Sequence, residues 1–126
     1  MEKVLFAGEV MPVKQLNYWR KKMPELLYAN LYGPTEVTDI CAYYIVDRDF
    51  ADSETLPIGR ACDNCDLIIL REDGTEAAPG EIGELCVRGS FVADGYYGDP
   101  DKTDAAPSCE SPALPPARRH PARYAA

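Results

Sequence analysis

The composition of the chain changes abruptly near Ala105, and this break limits how much of the sequence can build a packed core. Residues 1–104 carry 20 acidic and 10 basic side chains, whereas residues 105–126 carry one acid and three arginines. The last 22 residues contain 7 alanines and 5 prolines, and their only large apolar side chains are Leu114 and Tyr124. Because so little apolar surface cannot offset the entropy of ordering, the sequence predicts a disordered tail over 105–126. A native basic terminus and a shifted reading frame would both give this composition.

The net charge of the chain disfavours two classes of partner. The 126 residues include 21 acidic and 13 basic side chains, which gives a formal net charge of −8. Nucleic acids and anionic membrane surfaces attract basic proteins, so neither is an expected partner. No apolar run approaches the roughly 20 residues that cross a bilayer, and the first residues lack the pattern of a secretory signal. Five irregularly spaced cysteines do not form a disulfide framework, so reduced thiols and a cytoplasmic location are expected.

The first 46 residues follow the order strand, helix, strand. Residues 4–7 form a short apolar run, and an apolar stripe at helical spacing follows Pro12. Pro24 ends this helix, and residues 26–32 supply a second strand. This order is typical of a right-handed crossover between parallel strands. Residues 1–46 are therefore predicted to form the edge of a parallel α/β layer.

The following part of the chain, residues 47–104, is predicted to be rich in antiparallel strands. Beyond the first two strands, runs of β-branched and apolar residues predict strands at residues 40–46, 65–70 and 84–88. Gly74 marks a hairpin turn, and Asp99 followed by Pro100 predicts the start of a helix. The predicted fold class is therefore α/β, with a small antiparallel barrel or sheet after the parallel layer.

The stretch most informative about function is the heptapeptide Asn-Leu-Tyr-Gly-Pro-Thr-Glu at residues 30–36. Gly33 lets a ligand approach the backbone, and the Thr35 hydroxyl can donate a hydrogen bond to a phosphate oxygen. The Glu36 carboxylate can hold a Mg²⁺ ion that bridges phosphates, and the Tyr32 ring offers a face for a flat base. A Gly-Pro turn with polar neighbours is by itself more often a simple turn.

Taken as a whole, this heptapeptide resembles the signature of adenylate-forming enzymes, and in particular that of amino-acid adenylation domains. Three further stretches resemble motifs of that family in the same order: Phe-Ala-Gly-Glu at 6–9, Leu-Pro-Ile-Gly-Arg at 56–60, and a Gly-Glu-Leu…Gly-Tyr…Pro…Thr pattern at 83–103. Within the family, residues 8–13 and 62–75 are similar to D-alanine:carrier protein ligases. The chain is therefore expected to be a fragment of an adenylate-forming enzyme.

The resemblance implies an ATP-dependent ligase reaction with Mg²⁺ as the metal. The carboxylate of an amino acid or other small acid attacks the α-phosphorus of ATP, and the acyl group then passes to the phosphopantetheine thiol of a carrier protein. Thr35 and Glu36 would be the catalytic residues, with Glu36 as the Mg²⁺ ligand. The other implied site residues are the nucleotide contacts Gly8, Glu9, Asn30, Tyr32, Gly33 and Thr35, and the substrate pocket Leu5, Ala7, Leu31, Asp39 and Ile40.

Several hypotheses about activity stay open on the sequence alone. Nothing in the chain matches the phosphate loop of the family or its C-terminal lysine, so the chain alone is predicted to be inactive. A non-catalytic nucleotide-binding or interaction module is one alternative. A fragment of an acyl-CoA synthetase is another, although Pro34 is more typical of amino-acid activators. Ala7 stands where D-alanine ligases have a cysteine, which leaves the activated acid open.

Overall fold

The computed structural model describes residues 2–105 and 123–125, which form two β-sheets and two α-helices. The elements in chain order are β1 (Lys3–Phe6), α1 (Val13–Lys22), β2 (Leu27–Tyr32), β3 (Ala42–Ile45), β4 (Arg60–Ala61), β5 (Cys65–Leu70), β6 (Glu84–Gly89), α2 (Pro100–Ala105) and β7 (Arg123–Ala125). A short 3-10 turn, Thr35–Val37, follows β2. The first sheet has the order β1-β2-β3-β4, and the second has the order β5-β6-β7.

The predicted strand–helix–strand unit at the start of the chain is confirmed. Strands β1 and β2 run parallel, with Phe6 opposite Asn30, and α1 connects them. Helix α1 begins directly after Pro12, whose fixed φ suits the entry to a helix, and ends at Lys22 before Pro24. Strand β3 then adds antiparallel to β2, so the parallel pair lies at one side of a mixed sheet.

A first hydrophobic core lies between α1 and this sheet. Val13 and Leu16 of α1 pack with Tyr28 of β2, and Val46 and Phe50 complete the cluster. The 3.6-residue spacing predicted a core stripe of Val13, Leu16, Trp19 and Met23. The helix buries Val13 and Leu16 of this stripe, whereas Trp19 is 49% exposed, so the prediction is wrong for Trp19.

A second hydrophobic core joins the two sheets. Val37 and Cys41, from the connection between β2 and β3, pack with Ala42 of β3 and Val87 of β6. Because Val37 and Cys41 are both fully buried, this core fixes the connection after β2 against the second sheet.

The second sheet is antiparallel as predicted, but it is not a barrel in the part of the chain that the structure describes. Strand β6 pairs with β5 on one side and β7 on the other, and three strands are too few to close a barrel. The short strand β4 pairs with β3, so residues on both sides of position 46 contribute to the first sheet.

The tail beyond Ala105 falls mostly outside the described residues. Its predicted disorder over 106–122 and at Ala126 therefore stays a prediction. The structure describes Arg123–Ala125 as strand β7, and the sequence did not predict this strand because three residues carry no periodic pattern.

The helices of the described residues are short. Helix α1 has 10 residues and α2 has 6, whereas a membrane span needs about 20. No helix in residues 2–105 has the length and apolar character that crossing a membrane requires.

The cysteines differ in their redox state. Cys41, Cys62 and Cys65 carry free thiols, as predicted. Cys86 is disulfide-bonded, so the prediction of reduced thiols is wrong for this residue. An isolated disulfide leaves no spacing pattern in a sequence, which is why the cysteine spacing gave no sign of it.

We expect Leu16→Ala to lower the free energy of unfolding by about 2–5 kcal/mol, because it removes a fully buried side chain from the first core. Urea denaturation followed by circular dichroism measures this loss. Gln15→Ala, at an exposed position of the same helix, should change the free energy by less than about 0.5 kcal/mol. Equal losses in the two variants would contradict the packing of α1 on the sheet.

Candidate active site

The site residues predicted from the sequence gather at the carboxyl ends of β1 and β2. Because the two strands are parallel and Phe6 lies opposite Asn30, residues 7–9 and Tyr32 leave the sheet at the same edge. Open α/β sheets bind ligands at this edge, since the loops that follow parallel strands meet there. The topology therefore brings the two predicted nucleotide-binding segments together.

The connection between β2 and β3 folds back on itself beside Gly33. The Cys41 N–H donates a hydrogen bond of 2.9 Å to the Tyr32 carbonyl, which closes the connection at its base. A Cβ atom built on Gly33 would lie 1.9 Å from the carbonyl oxygen of Asp39. Only glycine permits so close an approach of two backbone segments. The glycine of the heptapeptide is thus required by the path of the chain itself.

Two residues of this connection have backbone angles that are unusual for their type. Thr38 has a φ of 53° and Asp39 a φ of 84°, both in the left-handed region. The Thr38 hydroxyl donates a hydrogen bond of 2.6 Å to the Phe91 carbonyl, which helps to hold the bend. Such strain costs on the order of 1–3 kcal/mol per residue and is found most often at ligand sites. Asp39 and the neighbouring Ile40, both predicted pocket residues, are presented beside Gly33 by this bend.

Glu36 connects the heptapeptide to a second motif. Its backbone carbonyl accepts a hydrogen bond of 2.8 Å from the Ala93 N–H, and its carboxylate accepts one from the Tyr96 hydroxyl. The bond to Glu36 raises the pKa of Tyr96, because the phenol must stay protonated to donate it; desolvation and the carboxylate charge act in the same direction. The structure therefore places the Glu36 carboxylate against a neutral hydroxyl donor.

Tyr96 is itself held by the start of α2. The Tyr96 N–H donates to the Thr103 hydroxyl oxygen at 2.9 Å, and the Lys102 ammonium nitrogen lies 3.8 Å from the centre of the Tyr96 ring. The sequence gave these three residues only as parts of a motif and assigned none of them to the site. Both motifs occur in one chain, and this joint occurrence is the sequence feature that could have indicated that the three residues lie near the heptapeptide.

The donor chemistry at Glu36 fits the predicted Mg²⁺ ligand. In residues 2–105 no group of three or more His, Cys, Asp or Glu side chains could hold a metal ion. Mg²⁺ that arrives with a nucleotide usually takes one or two carboxylates, and phosphate oxygens and water complete its shell. A single half-buried carboxylate held by a phenol meets this requirement.

Asn30 and Tyr32 lie on the same face of β2, because side chains alternate along a strand. The Asn30 side-chain amide donates a hydrogen bond of 2.9 Å to the Pro57 carbonyl, which ties the Leu-Pro-Ile-Gly-Arg segment to the site edge. Tyr32 is half-buried beside the second core, and burial, followed by the nearby Cys41, raises the pKa of its phenol. Both side chains are therefore positioned by contacts within the protein.

The predicted substrate pocket is only partly assembled. Leu5 lies opposite Ala29 in the parallel pair, so strand alternation places Leu5 and Leu31 on the face opposite Asn30. Leu5 is 58% exposed, and Ala7 is exposed as well. This wall of the pocket is therefore open in the described part of the chain.

Gly8 and Glu9, which are predicted nucleotide contacts, lie at the carboxyl edge of β1, and both residues are exposed. A Cβ atom built on Gly8 would have no neighbouring atom within 4 Å. The structure brings these two residues to the carboxyl end of β1 without packing Gly8 against the rest of the site.

Three thiols lie behind the connection after β2. Cys41 is fully buried, and Cys65 donates from its Sγ atom to the Cys41 carbonyl at 3.1 Å. Burial, followed by the neighbouring Cys65 and Cys62, raises the pKa of Cys41 to about 11. A neutral buried thiol is a poor nucleophile, so Cys41 has a packing role.

The sequence profile of a family described as AMP-binding enzyme matches residues 1–97. The D-alanine--D-alanyl carrier protein ligase of Bacillus cytotoxicus is 37% identical over 105 residues, which is 82% of this chain and 21% of that ligase. The ligase of the same name from Bacillus anthracis is 36% identical over 107 residues, or 84% of this chain and 21% of the ligase. The chain thus spans about a fifth of the length of these curated relatives.

Solved structures with the same fold are also larger than this chain. PA1221, described as an NRPS protein containing adenylation and PCP domains, has a TM-score of 0.84 at 30% identity and matches 98% of this chain and 25% of its own. CmiS6 has a TM-score of 0.82 at 30% identity and matches 98% of this chain and 30% of its own. The described residues therefore correspond to one part of a larger fold in both structures.

Gly33→Ala should lower the free energy of unfolding by about 2–3 kcal/mol, because the new Cβ atom forces the Asp39 carbonyl away and opens the connection. Gly80→Ala is the matched control. Gly80 has a φ of +89°, and a Cβ atom built on it has no neighbouring atom within 4 Å. This substitution should therefore lower the free energy of unfolding only by the backbone cost of about 1 kcal/mol. Chemical denaturation of both variants measures the difference. The close approach at Gly33 is refuted if the two variants lose the same amount.

We expect Cys41 to resist alkylation in the folded chain. With a pKa of about 11, about one thiol in a thousand is ionised at pH 8, and burial blocks the reagent. Mass spectrometry after iodoacetamide treatment should therefore find Cys62 modified at least about 10-fold faster than Cys41, with the Cys41 rate rising toward pH 11. In urea the two rates should converge, and equal rates in the native chain would contradict the described burial.

Proposed function

Because the chain belongs to the AMP-binding enzyme family, we propose that it forms part of the nucleotide and acid site of an ATP-dependent adenylating ligase. The observation that supports this most directly is the meeting of two motifs at Glu36. The heptapeptide at 30–36 supplies the carboxylate, and the motif at 83–103 supplies the Tyr96 hydroxyl that holds it. Two segments 60 residues apart in sequence thus converge on the group that Mg²⁺ chemistry needs.

The proposed reaction has two steps. In the first, a carboxylate oxygen of the substrate attacks the α-phosphorus of ATP, the bond to pyrophosphate breaks, and an acyl-adenylate forms. In the second, the sulfur of a carrier-protein phosphopantetheine attacks the acyl carbonyl, the thiol proton is lost, and AMP leaves. Such displacements depend on positioning and charge stabilisation rather than on a protein base. Mg²⁺, when bound, would neutralise charge on the phosphate oxygens.

The proposed nucleotide contacts are those that the family resemblance implies. The Tyr32 ring would stack on adenine, and Gly8, Glu9 and Asn30 would line the same pocket. The Asn30 amide nitrogen is engaged with Pro57, so its carbonyl oxygen is the group suited to accept a hydrogen bond from the adenine amine.

The proposed phosphate and metal contacts lie in the connection after β2. Gly33 would let phosphate approach the backbone, and the exposed Thr35 hydroxyl would donate to a phosphate oxygen. Glu36 would bind the Mg²⁺ ion. In these roles Thr35 and Glu36 would lie next to the reacting phosphorus, and they are the proposed catalytic residues.

The proposed substrate is a small carboxylic acid, with an amino acid as the first choice. Leu5, Ala7 and Leu31 would form one wall of its pocket, and Asp39 and Ile40 would form another. The two Bacillus relatives are named D-alanine--D-alanyl carrier protein ligases, which makes D-alanine the first compound to test. PA1221 contains a PCP domain beside its adenylation domain, which supports a carrier-protein thiol as the acyl acceptor.

The 126-residue chain by itself should not catalyse ATP–pyrophosphate exchange with D-alanine. It lacks the phosphate loop and the lysine that the family resemblance leads us to expect, and removing one such contact typically costs about 100-fold to 1,000-fold in rate. Exchange of labelled pyrophosphate by purified chain measures this. Exchange above background would show that the residues present are sufficient.

The proposed role is tested by placing the chain in a complete relative. In a Bacillus cytotoxicus ligase whose matching segment is replaced by residues 1–97 of this chain, we expect exchange to persist. Glu36→Gln in this chimera should lower the exchange rate by at least about 100-fold, since it removes the proposed Mg²⁺ ligand. Glu25→Gln, at an exposed position before the amino end of β2 and so at the opposite end of that strand from Glu36, is the control and should have no effect. A folded chimera without exchange would favour the non-catalytic module instead.

A further inference from the structure

We propose that Tyr96 is a positioning residue for the Glu36 carboxylate, and that it orients this carboxylate to bind the divalent cation that accompanies the nucleotide. The inference rests on the proposed function, since it concerns the same site. It starts from a hydrogen bond between the motif at 83–103 and the heptapeptide, which the Tyr96 hydroxyl donates to Glu36 Oε1.

This hydrogen bond selects one orientation of the carboxylate. A glutamate side chain has three rotatable bonds, and an ionised carboxylate can accept about four hydrogen bonds or metal contacts. When Tyr96 engages Oε1, this hydrogen bond restricts the rotation of the carboxylate about its last side-chain bond. A side chain fixed in this way loses less entropy on binding metal than one that rotates freely.

The phenol can act in this way because its own position is fixed by α2. The Tyr96 N–H donates to the Thr103 Oγ1 atom at 2.9 Å, and that hydroxyl donates to the Asp99 carbonyl at 2.9 Å. The Lys102 ammonium nitrogen lies 3.8 Å from the ring centre, which is within the range of a cation–π contact. A Cβ atom built on Gly95 would lie 2.4 Å from Thr103, so the segment before Tyr96 packs tightly on α2.

The contact is not needed to hold the two segments together. Two other hydrogen bonds do this already, because the Ala93 N–H donates to the Glu36 carbonyl at 2.8 Å and the Thr38 hydroxyl donates to the Phe91 carbonyl at 2.6 Å. Removing the Tyr96 hydroxyl alone therefore leaves these connections intact and acts on the carboxylate of Glu36. Loss of a group that orients a metal ligand typically weakens metal binding by about 10-fold to 100-fold.

The test uses Mn²⁺ with ATP as a paramagnetic probe and the ¹⁵N-labelled full chain. Mn²⁺ bound at Glu36 should selectively broaden the amide signals of residues 35–37, and Glu36→Gln should abolish the selective broadening. The half-broadening concentration is the Mn²⁺ concentration at which these amide signals lose half of their intensity. We expect Tyr96→Phe to raise this concentration by about 10-fold or more. Tyr97→Phe, which removes the same hydroxyl from a fully exposed neighbour, should leave it unchanged.

A loss of structure is distinguished from a loss of positioning by two further measurements. The melting temperature of Tyr96→Phe should stay within a few degrees of the parent chain. If that variant does not fold, Thr103→Val tests the same contact from the other side, because it removes the hydroxyl oxygen that accepts a hydrogen bond from the Tyr96 N–H and leaves the Glu36 ligand unchanged. It should raise the half-broadening concentration as Tyr96→Phe does.

The other outcomes overturn the inference in distinguishable ways. If Glu36→Gln abolishes broadening while Tyr96→Phe titrates like the parent chain, Tyr96 has no positioning role and the proposed function stands. If the parent chain shows no selective broadening at 35–37, the cation is not held by Glu36. The metal role in the proposed function then fails together with the inference.

Discussion

The close approach of the Asp39 carbonyl to Gly33 is the constraint on which the site depends. It lets the connection between β2 and β3 fold back within nine residues and close with the Cys41 N–H bonded to the Tyr32 carbonyl. The same fold buries Val37 and Cys41 in the core that joins the two sheets. Glu36 is thereby carried to the segment that contains Tyr96, so local sterics at one glycine set the geometry of the proposed metal ligand.

The exposed apolar face of the first sheet agrees with a chain that forms part of a larger fold. Leu5 and Ile45 share this face, because both lie opposite Ala29 in register, and they flank this buried residue. Leu5 is 58% exposed and Ile45 is 43% exposed, whereas most strands of complete α/β sheets are covered on both faces. The chain spans about a fifth of its curated relatives, and this face is where the proposed substrate pocket is open.

The sequence predicted the local elements better than their assembly. Apolar periodicity and proline positions located α1 and the strands, since these patterns reflect which side of an element is buried. A closed barrel was one expectation for the second sheet, and strand patterns alone cannot distinguish an open sheet from it. The bond between Tyr96 and Glu36 was also beyond prediction, because a contact across 60 residues depends on how two motifs pack.

We propose above all that ATP binds at the carboxyl edge of β1 and β2. The most direct measurement is a titration of the ¹⁵N-labelled chain with ATP and Mg²⁺, followed by amide chemical shifts in NMR spectra. If ATP binds there, the chemical shift changes should be concentrated at residues 7–9 and 30–36. Shifts confined to the basic end of α1, where Arg20 and Lys21 could attract any anion, or no shifts at all, would contradict it.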